Sequence, residues 1–427
     1  MSHDPCVVAK IPTDHEPMKP YAVRAARCDH RASDEIIYST LRQITTPLTR
    51  AWTRLEAART ILIKTNMVWP PEKLRHYAGR RQEHVDDAVF RAVLRLLRER
   101  TRARLIVPDT TLVGGGRPGR DVNFLPLLAE FGAEYIECSE APVRWFDVPG
   151  GGILFGRYLM NGCLAEADAA VSVAKMKNHG FAGITMTVKN LFGLCPLPPL
   201  GRPRSYFHHL VRLPCFLADF GQLVNPCLNV VDGLVGQARR EWGGEPRIGD
   251  ALLAGDHPVA TDVCGAWLMG HDPAADWPTP PYRRDRSTVR QAAEHGFGTL
   301  DLNQIDFETD LTPPVAEFDS EQTDPLERVG KWLCSTCEQA LFFRDHQRDL
   351  SARYAHEFVF LQDREVVWHG PDPHHLGSRR ALSGARPDSA LWLKFVDPEE
   401  TEQEHFELYE RALPYFEAQL RQHARAP

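Results

Sequence analysis

Between Lys175 and Asn190 the chain sets three ammonium groups, one imidazole and two glycines close together: Lys175, Lys177 and Lys189 around His179, with Gly180 and Gly183 following it. An imidazole gains or loses a proton near neutral pH, or binds a metal in its neutral form. Lysines near a helix start hold an anionic group, and a buried lysine can act as a nucleophile. The two glycines let backbone approach a ligand closely. The plainer alternatives are that His179 caps a following helix and that the lysines are solvated. Solvation suits Lys177 better than Lys189, which precedes the apolar pair Leu191 and Phe192.

Three other stretches carry polar groups directly after an apolar run. Ile61–Ile63 is followed by Lys64, Thr65 and Asn66, Leu105–Val107 by Pro108, Asp109 and Thr110, and Leu228–Val231 by Asp232 and Gly233. In open parallel sheets ligands bind outside the carboxyl ends of the strands, so four such ends predict one site. Lys64, Asn66 and Lys175 would orient an anion, Asp109 and Asp232 would position cations or a metal, His179 would move a proton, and Lys189 would hold cofactor or substrate. The competing explanation is that loops face water in any α/β protein. Elsewhere, Cys334 and Cys337 form a CxxC, half of a tetrahedral metal site or else two small residues at a helix start. Gly114–Gly116 with Arg117 and Gly119 lack both a dinucleotide fingerprint and a Walker lysine and read as a loop. Asp256 reads as the cap of a helix in which Asp262 projects from the second turn.

The elements that must position these groups follow from periodicity. Helical spacing of Ile36, Ile37, Leu41, Ile44 and Leu48 predicts helix over 34–58, and further helices are expected over 86–97, 124–131, 257–269 and 402–422. Strands are expected at 61–63, 103–107, 134–137, 169–174, 228–231 and 251–253. This alternation implies an α/β fold, a mostly parallel sheet with helices on both faces. The proline-rich 272–286 predicts a loop. A second proline-rich stretch, 310–324, predicts a linker, which divides the chain into a main domain over 1–325 and a small α+β module over 326–427. In that module 357–361 and 365–368 predict a hairpin and 391–396 a further strand.

With 427 residues, 43% hydrophobic and 25% charged, the chain is long enough for a large core plus an appendage. A net charge of −7 leaves no basic footprint for nucleic acid. No stretch approaches the roughly 20 apolar residues of a membrane helix. A polar N-terminus and ten cysteines with a single CxxC suggest a cytoplasmic protein with reduced thiols.

The run from Val171 to Pro196 closely resembles the domain of unknown function 362 family. The resemblance extends to Ile63–Asn66, Val231–Gly233 and Gly255–Asp262, about residues 20–275 in all. It implies a question about iron–sulfur clusters, which many members carry, although the ferredoxin-like cysteine array is missing here. The segment from His179 to Lys189 is also similar to one in the lactate racemase family with a histidine and a lysine at the same separation. That resemblance implies an acid/base role for His179 and a nickel-pincer cofactor anchored on Lys189. His208 or His209 would be the offset counterpart of that family's nickel-ligand histidine, and Thr187 and Val188 stand where it has paired glycines. The region from Tyr354 to Val396 looks like a small strand–strand–helix–strand module that occurs independently elsewhere.

The expectation is therefore an enzyme that binds a small anionic, carboxylate-bearing molecule at the sheet's carboxyl edge, with isomerase- or lyase-like proton transfer. Two alternatives stay open: a metal- or iron–sulfur-binding redox protein using Cys334 and Cys337, and a noncatalytic binding module whose C-terminal unit recruits a protein partner.

Overall fold

A computed structural model describes residues 19–67, 71–110, 123–373, 384 and 386–423. Short aliphatic runs alternate sides along each strand, as the pleat requires. Ile61, Ile63, Val171 and Val173 face one apolar cluster, and Leu62, Ile106, Ala170 and Met176 face another. The strands that carry them are β1 (Tyr21–Arg27), β2 (Thr60–Thr65), β5 (Arg104–Asp109), β6 (Ala133–Glu137), β9 (Ala169–His179), β10 (Gly183–Thr185), β11 (Leu228–Ala238), β12 (Glu245–Gly255) and β13 (Ile305–Thr309). Two ribbons, β3 (His76–Tyr77) with β4 (Arg80–Arg81) and β7 (Val143–Asp147) with β8 (Arg157–Asn161), stand apart from them.

The main sheet runs β13-β1-β12-β11-β9-β2-β5-β6, with β10 folded back on β9. Pairing is parallel except where β12 lies between β1 and β11 and where β10 meets β9. One face is covered by α1 (Asp34–Thr45), α2 (Thr49–Ala57), α3 (Asp87–Arg100) and α4 (Leu125–Glu130). The short α5 (Thr187–Asn190) and α6 (Arg204–Phe207), with α7 (Arg212–Val224), α8 (Pro258–Leu268) and α9 (Thr288–Glu294), pack on the other. The chain is thus an α/β protein with a mostly parallel sheet between helical layers.

Several expectations needed correction. The helix expected over 34–58 is broken by Pro47, which has no N–H to donate and disfavours helix at the residue before it. Ile36, placed on its apolar face, is 55% exposed, whereas Ile37 is buried. The strand expected to stop at Ala174 continues through His179, buried along its whole length. β1, β13 and α7 have no counterpart in the sequence reading. Helix α7 contains Pro214 and Gly221; a proline in the first turn removes no intrahelical hydrogen bond.

Residues 272–286 contain no helix or strand, as expected. Beyond the irregular 310–325, α10 (Leu326–Asp345) and α11 (Gln347–Tyr354) lead into a small antiparallel sheet, β15 (Glu365–Gly370)–β14 (Phe358–Gln362)–β16 (Trp392–Phe395), and the chain closes with α12 (Glu407–His423). The helix expected between β15 and β16 falls mostly outside the described residues.

Arg212 on α7 ties this unit to the main sheet's helices. Its guanidinium donates to Leu393 O (2.5 Å), Tyr409 Oη (3.1 Å) and Glu404 Oε1 (3.1 Å), and both charges are buried. Burial pushes the Glu404 carboxyl up, but Arg212 and Lys394 outweigh it and hold it at about 2. Because that lies below its ordinary 4.5, its contribution to stability is full above pH 4.5 and is lost as pH falls towards 2. Arg212→Ala leaves Glu404 buried without its guanidinium; it is expected to cost about 3–5 kcal/mol in urea unfolding and to flatten the acid limb of the stability curve.

Candidate functional site

Odd-numbered residues of β9 share one side of the strand, so Lys175, Lys177 and His179 follow one another along it at a period of two. Lys175 is fully enclosed. Its Nζ lies 2.9 Å from Asp232 Oδ2 on the neighbouring β11, and that oxygen also accepts from the Asp86 N–H (2.8 Å). Lys64 on β2 is equally enclosed, with Nζ 3.0 Å from Asp109 Oδ2, 2.6 Å from Thr65 O and 3.3 Å from Asn190 Oδ1. Burial pushes the carboxyls of Asp109 and Asp232 up, and the facing lysines pull them back only in part. These four groups were expected to meet the ligand. Instead they neutralise each other in two struts, and of the four only Lys64 borders the cavity described next.

That cavity, about 130 Å³, opens at the carboxyl edge where β2, β9 and β10 end. His179, Lys189, Lys177, Asn66, Arg204 and His208 line it together with Thr185, Phe192, Glu241 and Trp242. The His179 Nδ1 accepts from the N–H groups of Phe181 (3.0 Å) and Ala182 (3.1 Å). A lone pair so occupied leaves the ring proton on Nε2. The Glu241 carboxylate, 3.6 Å from Nδ1, is beyond hydrogen-bond reach. Burial, then Lys189, Lys177 and Arg204, hold His179 well below the usual imidazole range. It is therefore a neutral ring that donates from Nε2 and, in this tautomer, offers a metal no lone pair. As a cap it serves the turn after β9 and no helix.

Lys189 and Arg204 are the unusual pair. Both stand over the Phe192 ring, Nζ 4.8 Å and the guanidinium carbon 4.3 Å from its centre. Among the described residues neither has a hydrogen bond or an ion pair through its side chain. Burial and then Arg204 push the Lys189 amine down to about 7. Lys177, by contrast, donates to Glu83 O (2.8 Å) and Glu241 O (3.3 Å), lies 4.4 Å from the Trp242 ring centre, and is held by burial at about 8. Glu241 is itself engaged, accepting from the Gly180 N–H at 3.0 Å.

Local structure aims Lys189 at this space. Asp262 on α8 receives the Thr187 N–H (2.8 Å) and hydroxyl (2.5 Å) on Oδ1 and the Val188 N–H (3.0 Å) on Oδ2, which pins the first turn of α5. Asp256, expected to cap α8, instead accepts from the Ala22 N–H (2.8 Å) and Arg50 (2.8 Å). Gly183 is required where it stands: its φ is +76°, and a Cβ there would meet the Tyr282 ring at 2.7 Å. Gly193 lets the turn after α5 close over the Lys64–Asp109 strut, because a Cβ would lie 2.3 Å from Asp109 Oδ1.

The remaining sequence candidates are elsewhere. His209 faces away, with Nε2 2.8 Å from Leu391 O, whereas His208 lies 5.8 Å from His179 ring to ring. Cys334 and Cys337 lie mid-helix in α10, not at a helix start, and burial pushes both thiols up, Cys334 to about 12. No third ligand joins them: among the described residues, the group of three that could hold a metal is Asp29, His30 and Asp250. Gly114–Gly116, Arg117 and Gly119 lie outside the described residues. A pincer cofactor would find an amine in Lys189 and, in His208, an imidazole without a hydrogen bond among the described residues, packed against His179, Phe181 and Phe192. The space, about 130 Å³, is nevertheless smaller than the roughly 300–1,000 Å³ of cofactor-sized sites and does not fit such a group. The sequence reading missed Thr185 at the end of β10, Arg204 at the start of α6, and Glu241 and Trp242 in the loop between β11 and β12; Lys189 and His179 were visible in their own segment.

Residues 61–267 match the family model of a domain of unknown function, DUF362. The match begins at β2, later than the start near residue 20 expected from the sequence. A thylakoid-associated protein, sll1697 of Synechocystis sp., is 28% identical over 115 residues, 26% of this chain and 35% of that protein, so the aligned part spans about a third of that relative's length. Among solved structures, the lactate racemase apoprotein from Thermoanaerobacterium thermosaccharolyticum aligns with a TM-score of 0.32 at 15% identity, over 58% of this chain and 56% of that one. No helix among the described residues is long and apolar enough to cross a membrane.

Two measurements check this geometry. Lys175→Met alone strands Asp232 and is expected to cost about 3–5 kcal/mol in chemical unfolding, much of which the double variant Lys175→Met/Asp232→Leu restores. Because the Lys189 amine sheds its proton near pH 7, its acylation, followed by peptide mass spectrometry, is expected to reach half its maximal rate there. Exposed lysines should still be rising at pH 9.

Proposed function

We propose that this chain is an enzyme that takes a small carboxylate-bearing substrate into the cavity at the carboxyl edge of the sheet and moves a proton on it. The observation that carries this reading is the pair of unpartnered cations, Lys189 and Arg204, beside the free Nε2–H of His179. Both cations are half-buried; a partly desolvated cation without a counter-charge is unfavourable, and an anionic substrate supplies the missing partner. Arg204 presents a planar fork suited to a carboxylate.

The proton chemistry divides between two groups. His179, neutral and donating from Nε2, stabilises negative charge that develops on a substrate oxygen, as neutral imidazoles do when their basicity is suppressed. Lys189, with an amine at about 7, is poised to take a proton from carbon. Acid and base in one cavity suit isomerase- or lyase-like chemistry. The nine described cysteines are free thiols, which fits a cytoplasmic setting. The small cavity, about 130 Å³, favours a small molecule over nucleic acid as the partner.

The test is proton exchange from carbon. The protein is incubated in deuterium oxide with a panel of 2-hydroxy, 2-amino and 2-oxo carboxylates, and loss of the proton next to the functional carbon is followed by NMR. At least one member is expected to exchange, with a loss of about 10²–10⁴-fold in His179→Ala and in Lys189→Met. Tight binding of a carboxylate without exchange anywhere in the panel would replace the enzyme with a noncatalytic binding module.

A further inference from the structure

The lysines of this edge, three buried and Lys189 partly exposed, differ in one respect. Lys64 faces Asp109, Lys175 faces Asp232, and Lys177 donates to two carbonyls, so each ammonium has an acceptor. Lys189 has none among the described residues. Its Nζ stands over the Phe192 ring with the Arg204 guanidinium on the same ring. A site built only to hold an anion gains nothing from placing one of its two cations where it sheds its charge. An amine kept free of acceptors and close to a guanidinium is arranged as a nucleophile.

We infer that Lys189 is an imine-forming lysine and that the site takes a 2-oxo carboxylate, its carboxylate on Arg204 and its carbonyl carbon against Lys189 Nζ. This rests on the carboxylate reading given above, narrows its substrate class, and gives Lys189 the role of nucleophile in place of the base role assigned to it there. The Nζ lone pair forms the C–N bond while the carbonyl π electrons move onto oxygen, which receives a hydrogen bond from His179 Nε2. A proton passes from nitrogen to that oxygen and gives a carbinolamine. The carbinolamine hydroxyl takes up a proton from solvent, the C–O bond breaks and water leaves, and a protonated imine remains, so the balance is amine plus ketone plus one proton to protonated imine plus water, with no oxidant or reductant. Among residues bordering the cavity, Asn66 Oδ1 and Thr185 Oγ1 are buried without partners, an acceptor and a hydroxyl for the hydroxyl and water that this sequence produces. The imine's positive nitrogen then acidifies the neighbouring carbon, the chemistry that an isomerase or lyase of this kind needs.

Burial and Arg204 lower the Lys189 amine to about 7, so a large neutral fraction is available at neutral pH. The small cavity, about 130 Å³, suits an acid of three to five carbons better than a sugar phosphate.

Reductive trapping tests the inference. The full-length protein is treated with pyruvate and cyanoborohydride, and intact and peptide masses are read. One reduced pyruvyl group per chain, on Lys189, is expected, blocked by excess oxalate in the unmodified protein and absent in Lys189→Met. Acetone, which lacks the carboxylate, and the Arg204→Met variant should each give about tenfold less adduct, the worth of a charge-assisted contact. If calorimetry shows pyruvate or oxalate binding with no adduct on Lys189, or if adduct forms equally on surface lysines, the imine is overturned and the carboxylate site stands. If neither acid binds, both readings fall.

Discussion

Charge placed out of water is the constraint around which the rest of this site is arranged. An enclosed ammonium or guanidinium without a counter-ion carries a desolvation penalty of several kcal/mol, and proteins meet it by pairing, by shifting protonation or by taking up a ligand. The first two responses occur within this one sheet edge, and one cation shows neither. Lys64 and Lys175 are paired, Lys177 and Lys189 are shifted, and Arg204 stands with an aromatic ring and no carboxylate. The paired lysines stiffen the ends of adjacent strands, and the unpaired groups can then be held in place over them.

Rigidity comes from both sides of the sheet. Asp262 on α8 fixes the start of α5, Asp86 at the start of α3 sends its N–H to Asp232, and Gly193 brings the turn after α5 down onto Asp109. Lys189 is thus carried by a four-residue helix that could not hold its shape alone, since isolated helices of that length do not form in water. Tertiary contacts make it a precise mount. The C-terminal unit is bound to the same layer through Arg212, Glu404 and Tyr409, and its aromatic residues join the apolar cluster on that face.

Much of this was legible in the sequence because the signals were local. Aliphatic runs followed by polar residues marked β2, β5, β9 and β11, and the spacing of Lys175, Lys177 and His179 fits one strand face once the strand is known to continue. What was not legible depends on distance along the chain. Whether a lysine is free or paired turns on a carboxylate 45 residues away for Lys64 and 57 for Lys175. The protonation pattern of His179 depends on two backbone N–H groups in the following turn. Arg204, in a proline-bounded stretch without periodicity, gave no sign that it would face Lys189. The CxxC looked chemical by spacing alone, yet sits mid-helix with two protonated thiols.

The claim that the cavity is an anion site bears the weight of the functional reading, and anomalous diffraction from crystals soaked in sodium bromide tests it most directly. The account predicts a bromide peak within the cavity, in contact with Arg204, Lys189 and the His179 Nε2–H, and lost when Arg204 is replaced by methionine. Bromide confined to the outer surface, with only water between these three side chains, would contradict it.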